Sequence, residues 1–239
     1  MFTAKPWRAE AVFFFVGAQA LCVFIGILIN SCLLHAGVGG FKNLDDFGPI
    51  LIGTLTFQGA TWPLIFVFFW MQNISLRDGL GLSKKKLALA PLLAVGTLVF
   101  VMPAAGALLK GSAWLMGKIH WKTQTEEAVR MITSAPSLGE QIYLGIFAVI
   151  LAPVAEEFMF RGVLFTFVKQ CGFPRTAWIG VSLFFALVHA DAAAFVSLFM
   201  LALVLTWLYE MTDSLAAPIF THALFNAANL VVLLKYGPQ

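Results

Sequence analysis

Two adjacent glutamates, Glu156 and Glu157, and an arginine, Arg161, interrupt an otherwise apolar segment running from about residue 141 to 168. Glu157 and Arg161 are four apart, so a helix places them on one face where they can pair. Glu156 then points about 100° away. One carboxylate can be neutralised by the arginine while the other faces a cavity, where it can accept and return a proton. Pro153, just upstream, cannot donate to the carbonyl of Val149 and should kink the helix before the pair. Two later apolar segments carry possible partners, Phe185-Ala-Leu-Val-His189 and His222-Ala-Leu-Phe-Asn226. His222 and Asn226 are also four apart and can converge on one point. The other two histidines, His35 and His120, fall in loops or span ends and read as solvated. Alone, the Glu157–Arg161 pair reads as structural. Glu156, His189, His222 and Asn226 together, on three segments, read as a site.

The segments that must position these groups are membrane spans. The chain has 239 residues, 60% hydrophobic and only 11% charged, with a mean hydropathy of +0.89. Soluble domains carry about 25% charged residues. The deficit excludes an ordinary soluble fold, a disordered chain and a nucleic-acid binder with a broad basic face. The 24 Phe and 7 Trp suit lipid contact and membrane interfaces. Apolar stretches of bilayer-crossing length occur at roughly 11–34, 50–71, 87–109, 141–168, 175–190, 192–211 and 214–234. The expected fold is all-α, a polytopic helical bundle of about seven transmembrane helices plus an interfacial helix. It forms a single transmembrane domain over 1–239, with N-terminal spans in 1–110 and a catalytic core in 141–234.

The N-terminal run is longer than a signal-peptide core and reads as a retained first span. Lys5, Arg8, Arg77, Lys84, Lys85, Lys86, Lys169 and Arg175 all flank spans on one side, which places the N-terminus in the cytoplasm and the C-terminus outside. The expected location is a cell inner or plasma membrane. The semi-polar stretch 110–140, with Trp114, Leu115, Ile119 and Trp121 among Lys110, Lys118 and Lys122, suits a helix in the headgroup region. Ser137-Leu-Gly-Glu140 has capping-box spacing at the start of the fourth span. Asp191, Glu210 and Asp213 fall at span ends and read as solvated. Cys22, Cys32 and Cys171 read as small buried hydrophobes, not a disulfide framework.

Glu-Glu-x-x-x-Arg (156–161), Phe-x-x-x-His (185–189) and His-x-x-x-Asn (222–226), in this order on successive spans, resemble the CPBP family of CAAX prenyl proteases and bacteriocin-processing enzymes. The resemblance covers the last four spans; the first three match only as generic membrane helices. It implies an intramembrane endopeptidase of glutamic type. Glu156 would be the general base, helped by His189, and would activate a water against the scissile carbonyl. His222 and Asn226 would stabilise the oxyanion, Glu157 and Arg161 would brace the site, and Phe185 would shape it. A base and positioned polar donors in a water-poor cavity suffice for amide hydrolysis, so the two readings agree. The implied partners are a membrane-anchored peptide or protein substrate, possibly prenylated or carrying a sorting tail, and the lipid bilayer, with no nucleic acid. No cofactor is expected. Glu156, His189 and His222 match zinc ligands by type, which leaves zinc as a minority alternative, although His-Glu-x-x-His is absent. The competing functions are a non-catalytic immunity or scaffold protein that keeps the fold, and a proton-coupled transporter, against which stands the lack of repeat symmetry.

Overall fold

The structure is a computed structural model, and it describes residues 7–42, 46–119 and 137–236. The described residues form helices and no strands. Seven helices account for the seven apolar stretches: α1 (Ala9–His35), α2 (Phe47–Gln72), α3 (Lys84–Lys118), α4 (Leu138–Gln170), α5 (Pro174–Val188), α6 (Phe195–Thr212) and α7 (Ala216–Tyr236). Of these, α1, α2, α3, α4 and α6 are long and apolar enough to cross a membrane, while α5 and α7 are shorter apolar helices. The protein is a multi-pass membrane protein.

Local sequence sets the helix boundaries. At the start of α4, Ser137 and Glu140 form the full capping box, each side chain accepting the other residue's backbone N–H. The break between α5 and α6 lies at 189–194, where Asp191 Oδ1 accepts the N–H groups of Ala193 and Ala194 at 2.9 and 3.0 Å. Asp191 is thus structural. The third span runs further than its apolar stretch suggests. Helix α3 continues to Lys118, and Trp114 and Leu115 sit exposed on that extension with Lys118 over the Trp114 ring at 5.4 Å. His120, Trp121, Lys122 and the rest of the expected interfacial helix lie outside the described residues, as does Lys5. The cysteines depart from expectation: all are free, but Cys32 and Cys171 are exposed and Cys22 is half-buried.

Two packing units meet at α4. The first joins α1, α2 and α4 through Trp7, Phe15, Phe68, Phe69 and Phe158, whose rings pack mostly edge to face at 5.2 to 6.1 Å. Such pairs contribute about 0.5–1.5 kcal/mol each beyond area burial. Trp7 is pinned further. Its indole donates to the Gly162 carbonyl at 2.8 Å, and its backbone exchanges two 2.7 Å bonds with the Gln170 amide. The second unit packs α3 against α6 and α7, with Val101, Leu201, Leu205, Leu208 and Phe225 at its core.

The basic span ends gather on one side. Arg8 reaches the Met71 carbonyl, and Glu210 joins Lys169 on α4 to the Trp178 indole on α5. Glu210 therefore ties three helices together and is not simply solvated. On the same side the loop before α3 clamps the α6–α7 turn. Leu215 donates its N–H to the Leu80 carbonyl at 3.0 Å, and Lys86 Nζ meets the Asp213 carbonyl at 2.7 Å.

Gly81 makes this clamp possible. Its φ is +67°, and a Cβ there would stand 2.3 Å from the Asp213 carbonyl oxygen. Gly81→Ala is expected to destabilise the protein by about 1–3 kcal/mol through strain and overpacking, read as a lower thermal midpoint in detergent. An unchanged midpoint would show that the clamp carries no stability.

Candidate active site

Helix α4 is not a uniform α-helix. Two π-helical stretches, Phe147–Leu151 and Phe158–Phe165, flank the α-helical turn Ala152–Glu157 that carries the glutamates. Such wide turns recur at functional sites. In the first stretch the Ala152 N–H donates to the Phe147 carbonyl, five residues back. The next donor in that register would serve Ala148, but residue 153 is proline and has no N–H. Asn226 on α7 fills the gap, its Nδ2 donating to the Ala148 carbonyl at 2.9 Å. The sequence puts the missing bond at Val149, as an α-helix would. The wider turn moves it back one residue.

The two glutamates take different surroundings, as their spacing implies. Glu157 is fully buried, and its Oε1 accepts from Arg161 Nη1 at 2.8 Å and from His222 Nδ1 at 2.9 Å. Arg161, also fully buried, donates Nη2 to the Ala202 carbonyl of α6 at 3.0 Å. Its guanidinium lies 4.7 Å from the Phe185 ring centre. Phe185 is the hub of the site, since its ring also meets those of His189 at 4.5 Å, Phe160 at 5.0 Å and His222 at 5.7 Å.

Glu156 makes no direct hydrogen bond to a described residue. Its Oε2 stands 3.9 Å from His189 Nε2 and 3.9 Å from His222 Nε2. The far nitrogens of both rings are engaged. His189 Nδ1 lies 2.7 Å from the Phe185 carbonyl, which can only accept, so Nδ1 carries a proton and the ring turns Nε2 towards Glu156. His222 Nδ1 donates to Glu157, which fixes that ring's orientation in the same way.

The three groups come level by different routes. Glu156 lies fourteen residues from the basic end of α4 and His189 fifteen from the start of α5, each about 21–22 Å at 1.5 Å per residue. His222 is only six residues into α7, but the turn that starts α7 is itself buried: Ser214, Leu215, Ala216 and Ala217 are all at most 3% exposed. The clamp at Leu80 and Gly81 holds that turn in place.

Residues 138–228 match the family described as type II CAAX prenyl endopeptidase Rce1-like. The similarity is to this stretch of the chain. It begins where α4 begins, ends within α7 and contains all three motifs, which agrees with the CPBP resemblance. Neither a curated protein nor a solved structure matches the chain.

Within the matched stretch, Glu156, His189 and His222 are brought together, with Glu157, Arg161 and Phe185 packed around them. Asn226 lies one turn further along α7, and its amide reaches the α4 backbone instead of the glutamate–imidazole cluster. The donor set does not suit zinc as it stands. Tetrahedral ligand atoms about 2.0–2.1 Å from a zinc ion lie roughly 3.3 Å from one another, whereas Glu156 is 3.9 Å from each imidazole. Among the described residues no group of three His, Cys, Asp or Glu is arranged to hold a metal ion. Residue types give no sign of the carbonyls of Ala148 and Ala202 that take part here. Any residue type supplies a carbonyl, so only the small size of these two alanines, which permits close approach, hints at them.

Proposed function

We propose that the protein is an intramembrane endopeptidase in which Glu156 activates a water molecule against a peptide bond of a membrane-anchored substrate. The observation that carries this reading is the 3.9 Å separation of Glu156 Oε2 from both imidazole Nε2 atoms. It is too long for a direct hydrogen bond, and it fits one shared water, because two bonds of about 2.8 Å at a right angle span about 4 Å. Glu156 takes a proton from that water as its oxygen adds to the carbonyl carbon. His189, with Nδ1–H committed to Phe185, accepts a hydrogen bond from the water's other O–H, which stays intact, and so orients it. His222, protonated and backed by Glu157, donates Nε2–H to the oxyanion. The C–N bond then breaks, and Glu156 passes its proton to the departing amine, which leaves a carboxylic acid and an amine.

In this state Glu156 and Glu157 carry two negative charges, and Arg161 and His222 two positive ones. The buried cluster is then neutral, as a water-poor site requires. Asn226, by resemblance, would be a second oxyanion donor through its other N–H. The basic span ends face the cytoplasm in this reading, with the N-terminus inside a cell inner or plasma membrane. Activation is taken to be metal-free; turnover lost to a chelator and restored by zinc would overturn that part.

His222→Ala is expected to lower turnover by about 10²–10³ through loss of an oxyanion donor, measured on purified protein with a defined substrate. A drop of less than threefold would remove His222 from the reaction. The reading as a whole is tested by comparing protein termini in membranes of cells carrying the wild type or Glu156→Gln at matched expression. Termini made only by the wild type support an endopeptidase and reveal its cleavage motif, prenylated or not. Identical termini, with Glu156→Gln still supporting whatever deletion abolishes, would make the protein a scaffold.

A further inference from the structure

We propose that Gln58 and Trp62 on α2 bind the main chain of an extended substrate beside Glu156. The inference rests on the hydrolase reading and adds to it the surface that lays out the peptide. Helix α2 has a wide turn of its own, the π-helical stretch Leu55–Gly59, and it packs against the turn of α4 that carries the glutamates, Ala152–Glu157. The ends of the two helices are tied together at one level. The Trp7 N–H donates to the Gln170 side chain at 2.7 Å, and the Arg8 N–H donates to that of Gln72 at 3.1 Å. Gln58 lies fourteen residues from Gln72, as Glu156 does from Gln170, so the two stand at about the same depth.

The polar groups around the wide turn of α2 divide in two. Towards α1 they are paired: Gln19 Nε2 donates to the Phe57 carbonyl at 2.9 Å, and Thr61 donates to Gln19 Oε1 at 3.1 Å. Gln58 and Trp62 are not. Both are half-buried, Gln58 makes no hydrogen bond to a described residue, and Trp62 Nε1 is buried with no partner among the described residues. Four apart, they share a face. Trp62 falls between the core side of α2, where Thr61, Ile65 and Phe69 are buried, and the lipid side, where Phe66 and Trp70 are exposed. An unpaired amide and indole within a span are costly, and polar groups kept there at such a cost mark a site.

A helix keeps its carbonyls bonded within itself, so a substrate must unwind to offer one to water. Inside a bilayer the unwound N–H and C=O groups need partners. The Gln58 amide supplies a donor and an acceptor, the complement of the N–H and C=O that one extended residue turns to one edge. The Trp62 indole supplies a donor for a second C=O. The spacing fits. Four helical residues rise about 6 Å, and residues i and i+2 of an extended chain lie about 6.7 Å apart on the same edge. A substrate strand lying along α2 is thus held at two points, level with Glu156.

Full-length wild type, Gln58→Leu and Trp62→Phe are compared in lipid vesicles on a synthetic peptide carrying the cleavage site that the terminus comparison reveals. Gln58→Leu is expected to raise KM about tenfold with kcat changed less than threefold, since a contact made equally before and during reaction is read in KM. Trp62→Phe is expected to raise KM about threefold. Neither variant should melt below wild type, because neither loses a hydrogen bond within the protein. A second series of peptides replaces one amide N–H at a time by an ester oxygen on either side of the scissile bond. At one position the ester is expected to cost the wild type about tenfold in kcat/KM and Gln58→Leu less than twofold. A Gln58→Leu KM within twofold of wild type, a lowered midpoint, or esters that cost both proteins alike would overturn the inference and leave the hydrolase reading standing. A wild type that cleaves no peptide and makes no termini of its own removes the hydrolase reading, and the inference with it.

Discussion

Glu156→Gln protein is expected to fold and insert normally yet hydrolyse its substrate roughly 10²–10⁴-fold more slowly, the contribution of a positioned general base. Glutamine keeps the volume and hydrogen-bonding reach of glutamate but cannot take a proton from water. The fold should tolerate it because Glu156 makes no direct hydrogen bond to a described residue, and the two imidazoles stand 3.9 Å away. The check is a kcat on purified protein beside a thermal unfolding curve. A variant that aggregates, or that turns over at the wild-type rate, would contradict the assignment of the base.

Arg161→Ala should do the reverse and damage the fold before the chemistry. The guanidinium neutralises Glu157 at 2.8 Å, bonds the Ala202 carbonyl at 3.0 Å and lies against the Phe185 ring, all at full burial. Removing one partner of a buried pair typically costs about 3–5 kcal/mol, because the other is left charged and alone. A collapse in folded yield is therefore expected, with any surviving protein melting well below wild type. Glu157→Gln added to Arg161→Ala should recover part of that loss, since it removes the stranded charge. A stable single variant would show that His222 alone can balance Glu157, and would reverse the division between bracing and base glutamate.

The spans were legible because each stretch of about 20 apolar residues has few other places to go. The division of labour between Glu156 and Glu157 was legible because adjacent helical residues diverge while residues four apart align. Asn226 is a different matter. Hydropathy is blind to whether a buried turn is α or π, so the helical register that decides which carbonyl lacks a donor left no trace in residue types. Glu210 misled for a related reason. At a span end an acidic residue reads as solvated, and only packing reveals Lys169 and Trp178 converging on it. The continuation of α3 to Lys118 was hidden because polarity ends a predicted span but does not end a helix.

The shortness of α5 has a consequence for the surrounding lipid. Fifteen residues give about 22 Å of helix, against a hydrocarbon layer of about 30 Å. Lipid beside α5 must thin by several ångströms to meet it, at fractions of a kcal/mol per ångström. Thinning of this kind would be greatest at the end of α5, where His189 begins the next loop. If the protein hydrolyses its substrate as proposed, such thinning would bring water towards the reaction by deforming the bilayer.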